Sequence, residues 1–289
     1  MIIKDFFDEA TFTVTYVVYD ESTKDTIVID PVLDFDPASG SVSFESMNQI
    51  IDFINGKSLN VGMILETHAH ADHLSSSHYL KEVFPNAVVA IGENIKVVQE
   101  TFKPIFDKGE EFSVDGSQFD KLLKDDETVK VGSLEFKVIF TPGHTPACSS
   151  YYFDGAVFTG DTIFMPDSGT GRCDFPAGSA EDLFHSIHDR LYSLPDETKV
   201  YVGHDYQPGG RGIEFQTTIA DQKSGNIQLT SETSKDDFVK KRKARDQTLR
   251  APKLLLPSVQ VNMDAGRLPK APESDVPFLK IPVTLKKVD

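Results

Sequence analysis

Apolar and polar positions along the chain follow two rhythms in turn. Residues 11–19 are dense in Thr, Val, Tyr and Phe, which suit a pleated, half-buried surface, and 26–29 read as the partner strand, ended by Asp30-Pro31. The period then changes. Phe44, Met47, Ile50, Ile51 and Ile54 recur at spacings of three and four, predicting an amphipathic helix over 43–55 with Gly56 as its C-terminal cap. A buried strand is expected over 61–65, a helix over 73–84 stopped by Pro85, a strand over 87–91, and a helix over 93–106 interrupted by Pro104.

The middle of the chain is strand-rich. Residues 128–131 and 134–140 flank Gly132-Ser133, and 149–153 and 156–159 flank Asp154-Gly155; both are two-residue hairpin signals, the second suited to a type I′ turn. Residues 166–179, rich in Gly, Pro, Asp and Ser, predict a loop; 180–194 a helix; 199–202 a short strand. Beyond Pro208-Gly209-Gly210 helical patterns follow over 213–223 and 235–249, then a tail punctuated by proline. Strands and helices thus interleave twice. An α/β protein of two sheets packed face to face, with helices on both outer faces, satisfies this order. The expected organisation is one main unit over 1–212 and an extension over 213–289 packed on it.

Length and composition narrow the class. At 289 residues a substantial core can be buried. The 45 acidic against 29 basic side chains give a net charge of −16, which argues against nucleic acid or an anionic membrane as partner. No apolar run is long enough to span a bilayer, and the first residues lack the basic and apolar segments of a secretory signal. Two cysteines, Cys148 and Cys173, form no disulfide framework, so a reducing cytoplasm is the expected location.

The chemistry concentrates at strand ends. Five of the eight histidines fall in three short segments, each directly after a predicted strand. The first, Thr67-His68-Ala69-His70-Ala71-Asp72-His73, packs four potential ligands into six residues, and extended backbone would aim His68 and His70 the same way. The second is Gly143-His144, joined by Gly160-Asp161 after the next hairpin; the third is Gly203-His204-Asp205. A lone histidine at a strand end is usually a hydrogen-bonded structural residue. Imidazole and carboxylate placed repeatedly at strand ends point instead to a metal site.

Together these motifs resemble the metallo-β-lactamase superfamily, whose αββα sandwich of two mixed sheets matches the double alternation. Within it, Thr141-Pro142-Gly143-His144-Thr145-Pro146-Ala147-Cys148, Gly171-Arg172-Cys173-Asp174-Phe175, His204-Asp205-Tyr206 and a tail containing Arg245-Asp246 and Val261-Asn262-Met263 are similar to the persulfide dioxygenase branch. Glyoxalase II, a more distant relative, has a second His where Cys148 stands. The departures are Cys173 in place of Thr and the loop Ser168-Gly169-Thr170-Gly171. No rhodanese domain is expected.

The resemblance implies a single Fe(II) held by His68, His144 and Asp161, a two-His one-carboxylate triad that leaves positions for O2 and substrate. It implies that a thiol persulfide, glutathione persulfide above all, is oxidised with O2 to sulfite and the thiol. His70, Asp72, His73 and His204 would hold a second ion in the dizinc hydrolases, so two Zn(II) and a glyoxalase II-like thioesterase form the alternative. Glutathione carries carboxylates, and Arg172 first and Arg211 second are expected to meet them, with Tyr206 and Cys173 as further substrate neighbours. Cys148 is read as an inert buried thiol, and the redox role of Cys173 stays open. The run Lys240-Lys241-Arg242-Lys243-Ala244-Arg245 reads as a solvated helix face, and His78, His185 and His188 as packing or surface residues. Self-association as a homodimer is compatible with the sequence.

Overall fold

The computed structural model describes residues 1–270 and 274–285; the other positions of the expected extension lie outside the described residues. In chain order the elements are β1 Ile2–Asp8, β2 Thr13–Tyr19, β3 Asp25–Ile29, β4 Val32–Asp36, β5 Ser41–Ser43, α1 Glu45–Gly56, β6 Asn60–Leu65, β7 Leu74–Ser75, α2 Ser77–Val83, β8 Val88–Gly92, α3 Ile95–Phe102 and β9 Lys121–Leu123. Then follow β10 Thr128–Val131, β11 Leu134–Phe140, β12 Ser149–Phe153, β13 Ala156–Phe158, α4 Ala180–His185, β14 Lys199–Tyr201, β15 Gln216–Thr218, α5 Ile219–Gly225, α6 Lys235–Asp246 and α7 Leu255–Asn262.

Two six-stranded sheets form, in the orders β1-β2-β3-β6-β8-β9 and β10-β11-β12-β13-β14-β15, with a small sheet β5-β4-β7 beside them. Both large sheets are mixed: β3, β6, β8 and β9 run parallel, as do β13 and β14, while the remaining neighbours are antiparallel. Alternation decides which side chain faces which layer. Val14, Tyr16 and Val18 of β2 point between the sheets, onto Phe136, Tyr151 and Phe158, whereas Val17 and Tyr19 point outward under α1, α2 and α3. Every residue of β2 is therefore buried, as a strand covered on both faces must be. On the far side, Val157 and Val200 pack beneath Leu183 of α4, Ile219 of α5 and Phe238 of α6. Tyr151 and Tyr16 carry hydroxyls into this interior, and both donate to backbone carbonyls, of Glu66 at 2.6 Å and Val202 at 2.7 Å.

Several local expectations change. The edge strand β1 and the strands β4, β5 and β9 carry no clear period-two pattern, and they form through pairing with stronger neighbours. Residues 73–76 are not helical: Leu74 and Ser75 pair with β4, and α2 starts only at Ser77. The 213–223 helix is a strand followed by a shorter helix, because Gln216 to Thr218 extend the second sheet beside β14. Gly56 is the last residue of α1 and not its left-handed cap; that backbone conformation falls to Ser58, at φ 53°. At Asp154-Gly155 only the glycine has positive φ (75°), so the turn is not type I′. The proline-rich tail contains α7, whose Pro257 sits in the first turn, where no intrahelical N–H is lost. Among the described residues no helix is long and apolar enough to cross a membrane.

Candidate metal centre

Strands β6, β11, β13 and β14 end at the same edge of the sandwich, and each is followed by a loop that carries histidine or aspartate. Because β13 and β14 are parallel neighbours, Asp161 and His204 leave them side by side, with His204 Nε2 3.1 Å from Asp161 Oδ1. The approach is close enough to require glycine: a Cβ on Gly203 would lie 2.9 Å from the Gly160 carbonyl carbon, and one on Gly171 only 2.0 Å from the Asp161 carbonyl oxygen.

His68, His144 and Asp161 converge, their ligand atoms all within 4.8 Å of one another. The Nε2 atoms of His144 and His68 stand 3.5 and 3.9 Å from Asp161 Oδ2. Second contacts orient both rings. His144 Nδ1 lies 2.7 Å from the Arg172 carbonyl, an acceptor only, so Nδ1 donates and Nε2 keeps its lone pair. The Thr67 hydroxyl donates to Asp30 Oδ2 at 2.8 Å and so accepts from His68 Nδ1 at 3.0 Å, which leaves His68 Nε2 the same freedom.

His70, Asp72, His73 and His204 form a second group, with His204 Nε2 also 3.1 Å from Asp72 Oδ2. His70 belongs to a third group as well. Its Nε2 lies 3.1 Å from Asp30 Oδ1 and 3.3 Å from Glu66 Oε2, both buried. The rings of His68 and His70 lie side by side, 4.1 Å apart, but their ligand atoms fall in different groups: β6 ends at Leu65, residues 66–73 are loop, and strand alternation does not govern them. Burial lowers the His68 ring well below the ordinary histidine range, and burial with the neighbouring His70 pushes His73 down to about 4. Burial also opposes a proton on His204, yet Asp161 and Asp72 push it up to about 9. The Asp161 carboxyl, which burial would raise, is held well below the usual carboxylate range by His204, His68 and His144. His70 is held above its ordinary value, against burial, by Asp30 and Glu66. Nε2 of His68, His73 and His204, both ring nitrogens of His70, Glu66 Oε2, Asp72 Oδ2 and Asp161 Oδ1 are buried with no hydrogen-bond partner among the described residues. Lone pairs left bare in the interior are costly unless a cation satisfies them, and imidazole with carboxylate suits a first-row divalent ion.

The metallo-β-lactamase superfamily pattern matches residues 9–204. The chain belongs to the metallo-β-lactamase superfamily. Within this superfamily, Glyoxylase B2 of Dictyostelium discoideum is 51% identical over 94% of this chain and 93% of its own length. The mitochondrial persulfide dioxygenase ETHE1 of Homo sapiens is 26% identical over 83% of this chain and 80% of its own. Among solved structures, ETHE1 from Myxococcus xanthus superposes with a TM-score of 0.74 at 31% identity, covering 92% of this chain and 100% of that one.

In this chain Asp72, His144 and Asp161 open onto a cavity of about 770 Å³. Phe12, Phe164 and Tyr206 form one wall, Tyr206 stacked on the His204 ring at 5.6 Å. Arg172 lines the cavity, but its guanidinium grips Asp174 at 2.5 and 2.6 Å and donates to the Arg250 carbonyl. Arg211 does not line it; two carboxylates, Asp205 and Asp167, occupy its fork instead. Cys173 is also off the lining, buried under α4 and α6, its backbone N–H donating to Asp246 and its thiol raised by burial. Cys148 is buried, its thiol pushed up to about 12. The cavity cations that sequence reasoning missed are Arg245 and Lys253, which have no carboxylate partner among the described residues. Arg245 lay in the run read as a solvated face. That reading also changes for Arg242, which is buried and paired with Asp246 at 2.5 Å.

Proposed function

We propose that this protein is a non-haem iron-dependent persulfide dioxygenase, oxidising a low-molecular-weight thiol persulfide, with glutathione persulfide as the fitting carrier, in sulfide and persulfide detoxification. The overall change would be RSSH + O2 + H2O giving RSH, sulfite and two protons. The observation that carries this reading is the placement of His70: its Nε2 stands 3.1 Å from Asp30 Oδ1 and 3.3 Å from Glu66 Oε2, beside a carboxylate pair of its own, which supports His68, His144 and Asp161 as the three ligands of one ion. When bound, Fe(II) supplies redox chemistry and open positions for O2 and a sulfur ligand. The residues around it bind and orient. His204 stands between two carboxylates, its Nε2 3.1 Å from both Asp72 Oδ2 and Asp161 Oδ1. Phe12, Phe164 and Tyr206 keep the persulfide side of the cavity dry, and Arg245 and Lys253 face the carboxylates of the carrier. The likeness to persulfide dioxygenases supports the same reading. Two free, buried thiols suit a reducing cytoplasm.

A second reading rests on the convergence of His70, Asp72, His73 and His204, which offers a site for a second ion and hence a dizinc, glyoxalase II-like thioesterase, in keeping with the 51% identical relative. Metal analysis of protein purified without added metal separates the two: one iron per chain supports the dioxygenase, two zincs the hydrolase. An oxygen electrode with glutathione persulfide decides further. No oxygen uptake by iron-loaded protein, together with cleavage of S-lactoylglutathione, overturns the proposal. His144→Ala is expected to lose iron and activity, and a normal iron content in that variant refutes the ligand assignment.

A further inference from the structure

We propose that Asn262, at the end of α7, is a positioning residue of the metal centre, through which the C-terminal segment sets the conformation of the loop carrying His68, His70, Asp72 and His73. The side chain is buried, and both its donors and its oxygen engage this loop. Nδ2 donates to the carbonyls of His70, at 2.9 Å, and His73, at 2.8 Å, while Oδ1 accepts from the Ser75 N–H at 2.8 Å. Among the described residues no backbone N–H reaches either carbonyl. Two donors and one acceptor in a flat, short group are what a carboxamide offers; a carboxylate of the same shape has no donor for the carbonyls, and a hydroxyl has only one.

The segment is seated firmly enough to transmit this constraint. Val259 and Met263 enter the core under the first sheet, Val261 packs with Leu33 and Leu74, and Gln99 donates to the Met263 carbonyl at 2.9 Å. At the turn after α7, Gly266 (φ 83°) approaches so closely that a Cβ there would lie 2.9 Å from the Ser75 carbonyl oxygen. The bonded carbonyls belong to His70 and His73 themselves, flanking Asp72, so the amide fixes the backbone from which these side chains are aimed. The inference needs only that the loop holds a metal, and it stands whether the ion is one iron or two zincs.

The test uses the full chain, stripped with a chelator and titrated with Co(II) against a chromophoric competitor. Co(II) visible bands report ligand geometry, a readout that a purely structural brace would not move. Asn262→Ala is expected to weaken Co(II) binding at least about 10-fold, the usual effect of removing an outer partner of a metal ligand, and to alter the visible band. Ile54→Ala, a loss from the core of α1, is the control for general destabilisation and should leave affinity and band unchanged. Affinity within twofold of the parent with an unchanged band in Asn262→Ala overturns the proposal, as does equal weakening in Ile54→Ala. Should Asn262→Ala not fold, Asn262→Ser is judged by the same two criteria.

Discussion

Replacing Arg211 by alanine separates a structural arginine from a substrate-binding one. The Arg211 guanidinium makes two bonds of 2.7 Å to Asp205, whose side chain is 0% exposed, and two more, of 2.6 and 3.0 Å, to the partly exposed Asp167. Removing one partner of a buried ion pair costs about 3–5 kcal/mol, mostly for the charge left behind. Here the loss is smaller. Asp205 keeps backbone donors at Glu214, 2.8 Å, and Gln207, 3.3 Å, and Arg211 is itself 20% exposed, while the Asp167 half is a surface pair worth little. About 2–3 kcal/mol remains. With an unfolding entropy of roughly 2.1 cal/mol/K per residue, a chain of 289 residues shifts Tm by about 3–5 °C for such a loss. Differential scanning calorimetry reads the shift, and steady-state oxygen uptake at varied glutathione persulfide should show KM unchanged within twofold. Asp205→Asn added to Arg211→Ala removes the orphaned charge and should recover about 1 kcal/mol, a coupling a double-mutant cycle measures. An unchanged Tm with a severalfold rise in KM would refute this reasoning and restore Arg211 to the substrate.

Arg245→Ala and Lys253→Ala should each raise KM for an anionic persulfide about 5-fold or more with kcat nearly unchanged, and the effect should shrink at high salt; unchanged KM in both argues that the carrier's carboxylates bind elsewhere. Gly171→Ala, which would place a methyl on the Asp161 carbonyl oxygen, should lower metal content below half of the parent's by elemental analysis. The stability of the chelator-treated chain should depend on pH in two windows. His204, raised in the folded state, contributes stability that is complete below about 6.5 and lost as pH rises through about 9, at most about 3 kcal/mol by the usual 1.36 kcal/mol per pKa unit. His73, lowered in the folded state, has the opposite sign, and stability is lost as pH falls from about 6.5 toward about 4. Melting curves from pH 4 to 10 check both windows, and a Tm that stays flat from 7 to 10 contradicts the His204 assignment.

The readable parts of the chain were those whose physics is local. Strands β6, β11 and β12 announce themselves because apolar runs bounded by turn residues have one favourable arrangement, and the ligand candidates stand directly after such runs. Residues 73–76 carry a helical pattern, yet Leu74 and Ser75 are held extended, since Leu33 and Asn262, far away in sequence, satisfy the backbone there. The partners of the arginines were hidden for a related reason. A glycine-rich loop marks where a cation stands but not which carboxylate reaches it, and Asp174, Asp205 and Asp167 take the forks of Arg172 and Arg211.

The same long-range contacts bear on how the site is completed. Residues 9–204 contain every expected metal ligand, yet three groups that shape the centre come from beyond them: Asn262 on the loop carbonyls, Arg245 and Lys253 on the cavity, and Arg242 with Asp246. Arg242 donates to the Thr170 carbonyl and Asp246 accepts from the Cys173 N–H, bracketing Gly171 and Arg172, whose carbonyl in turn orients His144. The C-terminal helices thus reach two ligand loops from two sides, α7 at His70 to Ser75 and α6 at Thr170 to Cys173. A substitution at Asp246 should therefore disturb His144 with no contact to it, because the buried Arg242 would lose its carboxylate and the 170–173 backbone its acceptor.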